Sequence, residues 1–208
     1  MTLPRSSTEN ALPESAPTTV PTVLWWQKGW ADNLKVLAIA LVVALGLRFW
    51  VLEPRYIPSS SMEPTLQIGD RIAVEKVSYR WREPQRGDVV VFYPPGETDR
   101  QRAYIKRVVG LPGDRLQIQN GQVYANGAPL PEPYIAEPID YALMKPDGAG
   151  VATLTVPPGT YWVMGDNRNN SNDSHVWGYL PRRNLIGRAF FRFYPLDRFG
   201  LLSRPEYP

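Results

Sequence analysis

Three consecutive serines, Ser59, Ser60 and Ser61, lie between Pro58 and Pro64, and each offers a hydroxyl of the kind acyl transfer uses. Proline fixes φ and restricts the residue before it, so residues 59–63 are predicted to form a short, stiff, extended segment. A serine hydroxyl is a weak nucleophile without a base. The candidate bases are His175, which is the only histidine, the carboxylates and the lysines. Ser61, His175 and Asp173 or Asp166 can be combined into a Ser-His-Asp arrangement, because triads are defined by geometry and not by chain order.

A lysine base is the competing arrangement, and it centres on Tyr104-Ile105-Lys106-Arg107-Val108-Val109. Strand alternation puts Tyr104, Lys106 and Val108 on one face and Ile105, Arg107 and Val109 on the other. Lys106 therefore shares its face with apolar neighbours. A base working near neutrality needs the usual lysine pKa lowered by about three units. Burial can shift a lysine by up to about 3–5 units, so desolvation alone is large enough. Taken alone, the same lysine also fits an edge strand guarded against aggregation. A third cluster, residues 164–175, is dense in short polar side chains that bond backbone and form tight turns. It reads as a surface loop or as a set of groups that orients a base.

The 208 residues carry a net charge of +3, with the basic residues scattered. No basic stripe of the kind that binds nucleic acid is present. The absence of cysteine excludes a disulfide framework and a thiol nucleophile. One histidine and no cysteine cannot assemble a zinc site of the usual type, and no calcium-loop pattern occurs. No metal or cofactor is expected.

The elements that must position these groups follow from patterning. Residues 1–27 read as a disordered tail, rich in Pro, Ser, Thr and Ala with little to bury. Residues 36–47 run without a polar side chain, and Trp25, Trp26, Trp30 and Trp50 flank them. The run is short for a span of about 20 residues, but Arg48 can snorkel and tryptophans suit the interfaces. A single transmembrane helix from about Leu34 to Leu52 is expected, within an anchor region at 28–52. A buried core helix is disfavoured because the run is apolar on every face. A cleaved leader is disfavoured because no small-x-small pair follows before Pro58. Lys28 and Lys35 before the run and Arg48 and Arg55 after it leave its orientation nearly tied.

Residues 53–208 change character to short apolar runs between Gly, Pro, Asn and Asp. Strands are predicted over 71–77, 88–93, 103–109, 161–164 and 189–194. Asn120-Gly121 between 116–119 and 122–125 is a strong hairpin pattern. Residues 131–159 read as an extended excursion. The fold class is mostly β, an antiparallel sheet that coils or closes.

Four stretches, 58–66, 86–92, 104–114 and 165–174, together resemble bacterial-type signal peptidase I, the membrane-anchored Ser/Lys leader peptidase, in order and spacing. The resemblance covers residues 53–187 and implies coiled antiparallel sheets of that type beyond one N-terminal transmembrane helix. It implies Ser61 as nucleophile, Lys106 as general base, and Ser59 with the Ser61 backbone N–H as the oxyanion hole. Ser171 is expected to orient the Lys106 amine, and Asp173 to brace that corner through a basic partner. His175 stands where the proteobacterial pattern has an arginine, leaving Arg107 or His175 to meet Asp173. Ser60 stands where a glycine is common.

The resemblance further implies cleavage of signal peptides from exported preproteins, with small residues one and three positions before the cut. The substrate would add as a strand between residues 55–59, including Arg55, Ile57 and Pro58, and Ala103, Tyr104, Ile105 and Lys106. Ile57, Met62, Leu66, Tyr104 and Ile105 are expected to wall its pockets. The lipid bilayer is an implied partner, with the tail in the cytoplasm and the β domain outside a plasma or thylakoid membrane. On the residues alone, a self-cleaving Ser/Lys repressor, an anchored peptide-capturing module and a histidine-triad peptidase stay open.

Overall fold

A computed structural model describes residues 30–46, 51–96, 102–143 and 152–207. The tail at 1–27 lies outside the described residues. Helix α1, Trp30–Gly46, has 17 residues, about 26 Å at 1.5 Å per residue. That falls short of a hydrocarbon core of about 30 Å, and among the described residues no helix is long and apolar enough to cross a membrane. The predicted span is corrected at its far end. Leu52 opens strand β1, Leu52–Tyr56, pairing with Glu75.

The other strands are β2 Arg71–Glu75, β3 Val89–Phe92, β4 Tyr104–Gly110, β5 Arg115–Gln119, β6 Gln122–Ala125, β7 Ala128–Pro129, β8 Leu154–Thr155, β9 Thr160–Met164, β10 Leu180–Pro181, β11 Leu185–Tyr194 and β12 Gly200–Leu201, with a one-turn helix α2 at Ser174–Trp177. The predicted strands are present with shifted ends, and β11 starts four residues before the predicted 189. The hairpin forms at Asn120-Gly121 with φ of 50° and 75°, the left-handed pair a tight two-residue turn requires.

The larger sheet has the order β1-β2-β11-β3-β4-β9-β10, with β12 on β11, and the smaller runs β7-β6-β5-β8. All their pairings are antiparallel. Register shifts interrupt β11 against β2 and β3 and β4 against β9, and such bulges increase local twist. The sheet curls so far that Ile57, just past β1, joins Ile105 of β4 in one apolar cluster, although three strands lie between β1 and β4 in sheet order.

Burial on both faces explains the unbroken apolar run of β3. Val89 and Val91 enter the cluster with Ile57, Ile72 and Ile105. Val90 and Phe92 enter another with Tyr79, Val108 and Tyr161. A third cluster, around Leu116, Leu154 and Trp162, seats the smaller sheet.

Candidate active site

The serines do not form the extended segment predicted between the prolines. Glu63 N donates to Ser60 O at 3.0 Å and Leu66 N to Met62 O at 2.8 Å, so the chain turns at Ser60. The turn drops Met62 and Leu66 into full burial beside Ile57 and leaves Ser61 8% exposed.

Strand β4 brings Lys106 to this turn. Its register places Lys106 opposite Val90 and Ile105 opposite Val91, and the side chain is buried. Lys106 Nζ donates to Ser61 Oγ at 2.7 Å and to the Ile105 carbonyl at 2.9 Å, and lies 5.9 Å from the centre of the Tyr104 ring. Burial lowers the Lys106 pKa from 10.5 to about 8, against the opposing pull of the Asp173 and Asp166 carboxylates. Ser59 Oγ is 3.4 Å from Ser61 Oγ.

The loop after β9 clips the serine turn from the other side. Asn167 N donates to Ser61 O at 3.2 Å. The Asn167 amide donates to Ser60 O and the Asn170 amide to Ser60 Oγ, both at 3.2 Å. Asp173 fastens the far end of the loop. One oxygen accepts the Gly165 N–H at 2.7 Å, and the other accepts the His175 N–H at 3.1 Å as the cap of α2. His175 Nδ1 is 2.9 Å from that same oxygen, and its ring stacks on Tyr141 at 4.1 Å.

These contacts decide between the two partners left open for Asp173. His175 meets it, whereas Arg107 is fully buried and grips Asp166 in a two-point bond at 2.8 and 2.7 Å. Arg107 also donates to the Gly87 carbonyl at 2.9 Å and covers the Tyr134 ring at 4.0 Å. Ser171 departs from its expected bond. Its buried Oγ has no hydrogen-bond partner among the described residues, and the second bond of the lysine amine goes to Ile105 instead.

A groove of about 590 Å³ opens over the pair, lined by Arg55, Ile57, Pro58, Ser59, Ser61, Ala103, Tyr104, Ile105 and Lys106. Met62 and Leu66 are not among its walls, because the turn points them into the core. Five lining residues were absent from the sequence expectation: Ile72, Val91, Arg102, Asn170 and Asn172. Ile72 and Val91 were findable, since they sit opposite Arg55 and Ile105 in register.

A buried serine–lysine pair under an open groove suits hydrolysis of an extended acyl substrate. The model of the family described as signal peptidase, peptidase S26, matches residues 30–194, a span that contains the serine turn, β4 and the loop. The chain belongs to this family. This peptidase, a serine-type hydrolase of peptide bonds, is 54% identical over 177 residues to the probable signal peptidase I-1 of Synechocystis sp., covering 83% of this chain and 86% of that one. It is 48% identical over 179 residues to the signal peptidase I of Leptolyngbya laminosa, covering 84% of each. It is 41% identical over 181 residues to the probable thylakoidal processing peptidase 2 of Arabidopsis thaliana, covering 85% of this chain and 47% of that longer one.

Proposed function

We propose that this peptidase is a signal peptidase I that uses Ser61 as nucleophile and Lys106 as general base to remove signal peptides from exported preproteins. The observation that carries this reading is the 2.7 Å contact between Lys106 Nζ and Ser61 Oγ in a buried pair. Only the free amine can accept a proton, and burial makes that form accessible at moderate pH.

In the reaction, Ser61 Oγ attacks the scissile carbonyl while Lys106 takes the hydroxyl proton. The Ser61 N–H and the Ser59 hydroxyl hold the developing oxyanion. The tetrahedral species collapses as the Lys106 ammonium hands its proton to the leaving amine, which departs with the mature protein. Water then attacks the Ser61 ester while Lys106 takes its proton, and as the acyl C–O bond breaks Lys106 returns that proton to Ser61 Oγ, leaving a new carboxyl end on the signal peptide.

The substrate adds as a strand between residues 55–59 and 103–106, with backbone bonds supplying affinity and alternate side chains supplying choice. The apolar floor of Ile57, Ile72, Val91 and Ile105 suits small residues at positions one and three before the cut. A single-pass segment that begins near residue 28 and ends before β1 anchors the enzyme in the lipid bilayer, with residues 1–27 in the cytoplasm and the β domain outside. Cyanobacterial and thylakoidal names among the relatives favour a plasma or thylakoid membrane.

Cleavage of a preprotein by Ser61→Ala, Lys106→Ala and His175→Ala variants tests this reading. Ser61→Ala and Lys106→Ala are expected to abolish processing while His175→Ala retains part of it. Turnover surviving in Lys106→Ala, or loss confined to His175→Ala, would refute the lysine mechanism.

A further inference from the structure

Besides Ser61 and Lys106, the groove is lined by charge that the chemistry does not use. Arg55 and Arg102 both line it, and among the described residues no Asp or Glu does. Arg55 shares a sheet face with a groove residue. In the β1–β2 register it lies opposite Ile72, opposed residues share a sheet face, and both residues line the groove. Its Nε is buried without a hydrogen-bond partner, and its Nη2 pairs with Glu53. Glu53 is divided, however, because it also meets Lys76 at 3.4 Å.

The two arginines line the groove at matching offsets, Arg55 from β1 and Arg102 from the segment just before β4. Arg55 lies four residues before Ser59, and Arg102 four residues before Lys106. Four extended residues span about 13 Å. A peptide whose scissile carbonyl sits at Ser61 and Ser59 therefore passes between the two guanidinium groups four or five positions before the cut.

We propose that Arg55 and Arg102 form a cationic subsite that selects an acidic side chain four or five positions upstream of the cleavage point and disfavours a basic one. The inference rests on the substrate path given under the proposed function. It adds a charge preference to a site whose floor is otherwise apolar. Arg55 and Arg102 act here as specificity determinants and take no part in bond cleavage.

The test uses peptides with alanine one and three positions before the cut and Glu, Gln or Lys at position four or five, turned over by the full chain in detergent. The expected order of kcat/KM is Glu, Gln, Lys. An exposed ion pair contributes up to about fivefold, so two arginines should separate Glu from Lys on the order of tenfold at low salt. The gap should narrow near 1 M salt, where the screening length is about 3 Å. Arg102→Gln should reduce the Glu-to-Lys ratio, and Arg55→Gln/Arg102→Gln should bring it to about one.

Equal rates for the three peptides in the wild type, or an unchanged ratio in the double variant, would overturn the charge selection. Binding of the same labelled peptides to Ser61→Ala protein, read by fluorescence anisotropy, tells the two levels apart. If no peptide binds, the substrate path itself is wrong and the inference falls with it. Binding of all three with equal Kd overturns only the charge selection.

Discussion

Asp173 meets His175 twice, through the backbone N–H at 3.1 Å and the ring Nδ1 at 2.9 Å, while its other oxygen holds the Gly165 N–H at 2.7 Å. The carboxylate is fully buried. Its charge acts on Lys106 against the dominant effect of burial, keeping the amine from falling below about 8. Under the proposed mechanism turnover needs the free amine, so kcat/KM should rise with pH through about 8. Asp173→Asn removes the charge that favours the ammonium, so the rising limb should move to lower pH. The plateau should also drop, since the amide cannot accept from both neighbours as the carboxylate does. A pH–rate profile measures both, and a limb that stays in place would detach Asp173 from the lysine.

Gly165 separates the serine turn from Ser171. A Cβ at this position would overlap Ser171 Oγ and the Ser61 carbonyl oxygen and lie 2.6 Å from Ser171 Cβ. The Ser61 carbonyl cannot retreat without moving the nucleophile, and misplacement by about 1 Å costs on the order of 10²-fold. Gly165→Ala should therefore lower kcat by about that factor while circular dichroism shows the β fold intact. Near-normal kcat would mean that the turn can shift without disturbing the Ser61–Lys106 contact.

Ser59 offers its hydroxyl 3.4 Å from Ser61 Oγ, beside the place where the oxyanion would develop. Loss of one oxyanion donor costs about 2.7–4 kcal/mol in comparable sites. Ser59→Ala should lower kcat by about 10²–10³-fold with little change in KM. A change confined to KM would assign Ser59 to substrate binding alone.

The residues alone left His175 and Lys106 open as partners of Ser61, and the resemblance of the four stretches singled out Lys106, whose amine lies against Ser61 Oγ in the fold. Prolines marked the serine segment, and alternation set Lys106 among apolar neighbours. The strands were legible through β-branched runs, and Asn120-Gly121 carried its turn geometry in its composition. Strand β1 was hidden because it follows the long apolar run directly, so Leu52 read as the end of a helix. Met62 and Leu66 were misplaced because a turn, not strand alternation, sets their direction. The Arg107–Asp166 bond was out of reach, since it joins residues 59 apart and depends on how far the sheet curls. The same holds for Ser171, whose position over Gly165 follows from the path of the loop.

Arg107 and Asp166 hold that loop against the sheet, each with a fully buried side chain. Removing one partner of a buried ion pair strands the other and costs about 3–5 kcal/mol. Arg107→Ala should lower unfolding stability by that order in urea titrations. Replacing both residues, as in Arg107→Met/Asp166→Leu, should recover much of the loss because no charge is left unpaired. A double variant as unstable as Arg107→Ala would show that the bonds of Arg107 to Gly87 and Thr65 carry most of the effect.

The lowered pKa of Lys106 also implies a stability cost with a defined pH window. Burial brings the amine from 10.5 to about 8 in the folded chain. Below about pH 8 both folded and unfolded chains carry the ammonium, and folding must bury it, a penalty of about 3 kcal/mol at 1.36 kcal/mol per unit. Between about pH 8 and 10.5 the folded chain releases the proton while the unfolded chain keeps it. The unfolded state then binds more protons, so stability rises with pH and the penalty fades. Lys106→Met fills similar space without a charge to bury. It should exceed the wild type in stability most strongly at and below about pH 8, with the difference shrinking as pH approaches 10.5. Urea midpoints of both proteins at pH 7, 8, 9 and 10 measure that difference, and groups other than Lys106 cancel from it. A gap that is constant across the series would mean that Lys106 is not buried as an ammonium at neutral pH, and the lysine would then lose its claim to be the base.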